Sequence, residues 1–247
     1  MNIYYLNSKL ISFFCINLLC LFLLNSNAKN IDTPYEFRVI PGTQDWANLK
    51  TESERLDACQ IPQEILNNMT TRALALTCLN YPLFWDMSAF NSYQKGFSIL
   101  SDRFNGLREL KKRKDAGYQL YNIYKDKFAD ISSIGLSEIE LGNLRLVYME
   151  TILTQDEILK NMNAYNRKKL LKESLKKYET KKRNSKKFSN NDLMTSCLIF
   201  GRILKLQQNT MTNVNILKDN DTKLFLKSGV TSNLEMMEKL AILAGRE

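Results

Sequence analysis

The chain has 247 residues, 44% of them hydrophobic and 25% charged, a formal net charge of +9 and no histidine. Without imidazole there is no Ser-His-Asp or Cys-His hydrolase, no histidine proton shuttle and no histidine-ligated zinc site, so any enzyme here must work with carboxylate, lysine, tyrosine or serine-lysine chemistry. The hydrophobic and charged fractions are those of an ordinary globular protein, which argues against disorder, and a chain of this length buries a core without disulfide staples.

The first 28 residues read as a secretory signal peptide: Lys9 provides the positive start, residues 11–24 an apolar stretch, and Ser26-Asn27-Ala28 the small-x-small cleavage pattern. An apolar stretch of 14 residues is too short to span a bilayer as a helix. The expected mature chain therefore begins at Lys29, is exported to the periplasm or the extracellular space, and has no transmembrane helix after cleavage. Residues 29–49, with Pro34, Pro41 and Gly42 and no sustained period, predict an extended N-terminal arm, and residues 50–247 a single helical domain.

All four prolines lie at or before Pro82, which leaves the rest of the chain free to form uninterrupted helices. Helix-start pairs recur at Thr51 with Glu54, Ser137 with Glu140, Thr154 with Glu157 and Ser232 with Glu235, and Pro62 suits the first turn of a helix. From Leu107 onward, Leu107, Leu110, Gly117, Tyr121, Tyr124 and Phe128 share one face, which predicts a surface helix. Residues 137–153 and 192–206 are apolar on several faces and predict two central, buried helices. Between them Ile158, Met162 and Tyr165 do not align with Leu171, Leu175 and Tyr178, so a break is expected near Asn166. A terminal helix carries Leu234, Met237, Leu240 and Ala241. The resulting fold class is all-α, an irregular helical bundle or a short α-α superhelical array of helix pairs.

Cys15 and Cys20 leave with the signal peptide. Cys59, Cys78 and Cys197 lack Cys-x-x-Cys spacing and a fourth ligand, so no metal and no cofactor is expected. Their apolar surroundings favour buried free thiols, although a Cys59 to Cys78 disulfide remains open in an oxidising compartment.

Three features stand as candidate sites. The segment 160–187 holds twelve Lys or Arg against Glu173 and Glu179, more than the net charge of the whole chain. Within it Lys168, Lys169, Lys172 and Lys176 are candidates for an anionic polymer or surface, set against the ordinary reading of a solvated helix face. Nucleic acid is not the expected partner, because Tyr165 and Tyr178 fall on apolar stripes and an exported protein seldom meets its own nucleic acid. A second cluster contains Arg108, Glu109, Arg113 and Asp115, where the spacings of Glu109 to Arg113 and Lys111 to Asp115 predict side-chain pairs along one helix. The third is Trp85 with Asp86, following an aromatic turn. The acid pairs Glu52 with Glu54, Glu138 with Glu140, and Asp156 with Glu157 read as helix-dipole complements in first turns rather than as a glycosidase pair.

Four blocks carry a resemblance: Gln60-Ile61-Pro62, then Thr77-Cys78-Leu79-Asn80-Tyr81-Pro82, then Phe104-Asn105-Gly106-Leu107-Arg108-Glu109-Leu110, and Arg113-Lys114-Asp115-Ala116-Gly117. Together they resemble a family of exported helical proteins of gut-type anaerobic bacteria, over about residues 59–124. The resemblance implies export and a helical body, and it implies no activity and no catalytic residue. The residues point first to a noncatalytic binding or interaction protein whose partner is a protein or an anionic polymer. A carboxylate-dependent hydrolase of a polysaccharide or other polymer, using Asp86, Glu109 and Asp115, is the alternative, and electrostatic attachment to an anionic surface through 160–187 is the third reading.

Overall fold

The computed structural model describes residues 30–131, 139–211 and 214–247, with the side chains of 139–141 left out. The expected signal peptide, Ser137 and the Glu140 side chain lie outside what the structure describes. The first part of the chain contains α1 (Gln44–Asn48), α2 (Glu52–Ala58), α3 (Gln63–Asn68), α4 (Thr71–Leu79), a 3₁₀ segment (Phe84–Ala89), α5 (Tyr93–Arg103), α6 (Asn105–Lys112) and α7 (Ala116–Lys127). Then follow α8 (Ile139–Leu153), α9 (Asp156–Asn161), α10 (Ala164–Arg183), α11 (Asn190–Gln207), a short 3₁₀ turn (Gln208–Thr210), α12 (Asn215–Lys218), α13 (Asn220–Ser228) and α14 (Leu234–Gly245). The protein is all-α, a helical bundle. Among the described residues the sole β feature is an isolated parallel bridge between Ile31 and Met69.

Two helices occupy the middle, as their apolar faces demand. In α8, residues 146–153 are buried on every side, and in α11 Cys197, Leu198, Ile199, Phe200, Ile203 and Leu204 are inaccessible. Such helices have no polar face to give to water and must be covered by neighbours. Helices α8, α10, α13 and α14 pack around α11, while α4, α5 and α7 pack on α8. Among the described residues no helix is long and apolar enough to cross a membrane.

The N-terminal arm departs from its expected extended course. Residues 30–37 are extended and held down by the Ile31 bridge, by Tyr35 N–H donating to Thr77 Oγ1 at 2.8 Å, and by the Phe37 ring packed edge-on to Tyr81. The arm then turns into α1, because Thr43 caps the Trp46 N–H and Asp45 complements the dipole of the first turn.

Helix starts are where the sequence and the structure differ by single residues. Thr51 and Glu54 form the full reciprocal capping box. At α9, however, Gln155 is the N-cap and Thr154 instead donates its hydroxyl to Thr151 O, continuing α8. At α14 the cap is Asn233, one residue beyond Ser232, with its Oδ1 accepting the Met236 N–H. The break expected near Asn166 falls at Met162-Asn163, where Asn163 Oδ1 accepts the Asn166 N–H and starts α10. Consequently Tyr165 does not join Ile158 and Met162 in the core but stands 67% exposed. The single surface helix expected from Leu107 to Phe128 is two, α6 and α7, separated by a turn at residues 113–115.

Candidate functional site

The four resembling blocks assemble two backbone clasps rather than a reactive centre. Asn105 grips Ile61 from both sides, accepting its N–H at 3.1 Å and donating to its carbonyl at 2.7 Å, while Gln60 Oε1 accepts the Asn105 N–H. Tyr81 stacks on Phe104 with ring centroids 4.0 Å apart. At the second clasp Arg113 pairs with Glu109 at 2.7 Å and turns its remaining donors to the carbonyls of Leu66 and Met69 at the end of α3. Asp115 accepts the Thr71 hydroxyl at 2.7 Å and the Gln119 amide, so the expected Lys111 to Asp115 pair does not form.

Of the predicted site residues, Glu109, Arg113 and Asp115 therefore gather around the α3 to α4 junction, and Arg108 donates to Asp102 O near the end of α5. Cationic side chains on the last carbonyls of helices satisfy acceptors that the helix cannot. The same use recurs in Arg167 on Met162 O at 2.6 Å. Trp85 is 43% exposed beside Phe84. Asp86 borders a separate cavity of about 210 Å³ with Tyr81 and Arg103; burial raises its carboxyl and the Arg103 charge opposes that. No described cavity joins Asp86 to Glu109 or Asp115.

The most buried ionisable pair is Glu150 of α8 with Lys181 of α10, 2.6 Å apart and fully inaccessible. Glu150 Oε1 accepts the Tyr124 and Ser196 hydroxyls at 2.7 and 2.6 Å, and Oε2 accepts the Thr195 hydroxyl as well as the ammonium. Lys181 also donates to Asp192 O at 2.7 Å and Ser196 Oγ at 2.9 Å. The carboxylate thus holds four donors and the ammonium three close acceptors, the condition under which a buried pair is tolerated. Burial and the Glu150 charge keep the Tyr124 phenol protonated far above its usual range. One turn earlier Lys177 lies 2.5 Å from Glu173 and 4.4 Å above the Tyr124 ring; burial lowers its ammonium, and the Glu173 bond opposes that. Ser196 and Lys181 form a serine-lysine contact without solvent access, so the geometry is that of a structural node.

A different place offers access. A cleft of about 850 Å³ opens where α9, α11 and α13 meet, with Leu206 and Leu226 as its apolar surface. Gln94, Gln155 and Gln208 supply amides, Asp156 and Glu157 supply carboxylates on the α9 side, and Lys160, Arg202, Lys205, Lys223 and Lys227 supply cations. Lys160 is paired with Asp156 at 2.8 Å. That hydrogen bond is the main reason the Asp156 carboxyl lies below its usual range, with the Arg202 and Lys205 charges adding to it. Arg202 is engaged with backbone, donating to Thr154 O at 2.6 Å, Leu226 O at 2.9 Å and Lys227 O at 3.3 Å. Burial lowers its guanidinium, and the Asp156 charge opposes the change. Lys205, Lys223 and Lys227 have no acidic partner among the described residues. Gly229, in the left-handed conformation at φ +74°, ends α13 and fixes where this wall stops.

The basic segment divides in two. Lys177 and Lys181 are buried, against the expectation of a uniformly solvated face, because they fall on the stripe that Leu170, Ser174 and Tyr178 lay against the bundle. Lys168, Lys172 and Lys176 remain exposed at four-residue intervals without an acidic partner among the described residues, and Lys169 sits over the Tyr165 ring at 4.3 Å. Sequence reasoning missed the cleft lysines because 205 and 223 are brought together only by packing. It also missed Glu150, although the one acid within the buried run of residues 146–153 announces a buried partner. Among the described residues no group of three or more acidic or thiol side chains is placed to hold a metal ion. No protein-family model, curated protein or solved structure matches the chain.

Proposed function

We propose that the chain is an exported, noncatalytic binding protein that holds its ligand in the cleft between α9, α11 and α13. The observation that carries this reading is the contrast in how charges are used. The buried ionisable groups Glu150 and Lys181 are saturated by each other and by hydroxyls, whereas three lysines around an open concavity of ligand size remain unpaired. Export rests on the leader pattern of residues 1–28, and recovery of the chain outside the cytosol, cut after Ala28, is the result it requires.

The hydrolase reading gains little support, because Asp86, Glu109 and Asp115 belong to separate elements with separate partners. Attachment to an anionic surface through Lys168, Lys172 and Lys176 is a second reading, favoured by their exposed row on α10. A thermal-shift screen of anionic, neutral and cationic small molecules separates these readings. The cleft reading requires a stabilising ligand whose effect is weakened or abolished by Lys223→Trp, which puts an indole ring in place of a cleft-wall lysine. A ligand unaffected by that variant, or polysaccharide cleavage lost in Asp86→Asn, overturns it.

A further inference from the structure

We infer that the cleft takes an anionic carbohydrate, a sugar bearing a phosphate or sulfate ester, with the ester against α11 and α13 and the hydroxyls toward α9. The inference rests on the cleft being the binding site and adds the chemistry of what it binds. The two walls differ. Lys223 and Lys227 are one helical turn apart on α13, separated by a rise of roughly 6 Å, and with Lys205 on α11 they present three free ammonium groups to one side. Free lysines bind tetrahedral oxyanions as compact point charges with rotatable donors.

Helix ends would ordinarily work against an anion at this place. Leu226 O and Lys227 O in the last turn of α13, and Thr154 O just past the end of α8, face Arg202 of the cleft wall, and such ends carry negative potential. Arg202 occupies all three carbonyls with its guanidinium. Its side chain therefore offsets two negative helix ends, a task that does not fall to Lys205, Lys223 or Lys227.

The α9 wall selects for something other than a bare anion. Asp156 and Glu157 would repel a ligand charged along its whole length, but exposed carboxylates accept hydrogen bonds from sugar hydroxyls. Gln94 and Gln155 are tied to the wall itself, with Gln155 Nε2 donating to Thr151 O at 2.7 Å and to Gln94 Oε1 at 3.2 Å and Gln94 Nε2 donating to Thr154 Oγ1 at 3.0 Å, so they hold the rim in place. Leu206, 40% exposed, offers an apolar surface for the C–H face of a sugar ring. One charged end, a hydroxyl-bearing body and one apolar face describe a sugar ester better than inorganic phosphate or an acidic peptide.

Isothermal titration of the full chain tests this with glucose 6-phosphate and a sulfated disaccharide as probes, and with glucose, an unsulfated disaccharide and inorganic phosphate as controls. The expected result is binding of one ester class at least about tenfold tighter than its neutral counterpart or inorganic phosphate, weakening as salt is raised. The double variant Lys223→Gln/Lys227→Gln, which changes exposed side chains only, should remove that preference, while Lys168→Gln/Lys172→Gln should keep it. Whether the phosphate or the sulfate probe binds identifies the ester. Equal binding of charged and neutral sugars, or no saturable binding of either ester, overturns the ligand class. Binding unchanged in Lys223→Trp overturns the cleft reading beneath it.

Discussion

Replacing Lys181 by Met keeps most of the side-chain volume and removes the charge that faces Glu150. The Glu150 carboxylate would then sit fully buried with only the Tyr124, Thr195 and Ser196 hydroxyls, having lost its 2.6 Å ammonium contact. Removing one partner of a buried pair costs about 3–5 kcal/mol. Glu150→Met should cost a similar amount, since the ammonium would keep only Asp192 O and neighbouring hydroxyls. The double variant leaves no buried charge and orphans the Tyr124 and Ser196 hydroxyls, for a loss of about 2–6 kcal/mol at about 1–3 for each orphan. Taken at mid-range, the two single losses sum to about 8 kcal/mol and exceed the double loss by about 4. Urea unfolding followed by far-ultraviolet circular dichroism measures all four proteins. Losses that add within about 0.5 kcal/mol would refute the reasoning, as would a Lys181→Met loss under about 1 kcal/mol.

Gly96 of α5 crosses the 3₁₀ segment so closely that a Cβ would collide with the Met87 carbonyl. Gly96→Ala should lower stability by about 1–2 kcal/mol despite better helix propensity, and an unchanged urea midpoint would show that the crossing is loose. Backbone N–H donors at Thr51 and Lys50 hold the Glu54 carboxyl below its usual 4.5, and the Thr222 N–H holds the Asp219 carboxyl below its usual 3.8. Both groups bind protons less readily folded than unfolded, so the stability they add is complete above those usual values and disappears as pH falls through the lowered ones. Acid titration of the urea midpoint should show a decline that Glu54→Gln with Asp219→Asn makes shallower, and identical slopes would contradict the assignment. Burial pushes the Cys59 thiol up to about 11 and raises Cys78 and Cys197 further, and all three are free. Peptide mapping after maleimide treatment near pH 8 should find these three unlabelled in the native protein and labelled in guanidinium; rapid native labelling of any one would contradict its burial.

The bundle was legible because periodic apolar stripes and capping residues are local signals. The all-round apolar character of α8 and α11 placed both helices in the centre, and the Thr51 and Glu54 box marked α2. Breaks were less legible. Asn163 rather than Asn166 starts α10, and the turn at Arg113 depends on carbonyls of α3 that sequence spacing does not reveal. Charged residues were the hardest to read. Lys177 and Lys181 looked like members of a solvated run but lie on the buried stripe, while Arg113 and Arg202, suited to recognition by type, close helix ends. The cleft itself joins residues from 94 to 227, so no local pattern could expose it.

Lysine footprinting tests the central claim most directly. The chain would be acetylated with and without a saturating sugar ester, and the modified peptides quantified by mass spectrometry. The account predicts protection of Lys205, Lys223 and Lys227, with Lys168 and Lys172 on α10 unchanged. Protection confined to the α10 row, or no protection of the three cleft lysines while ligand is bound, would contradict it.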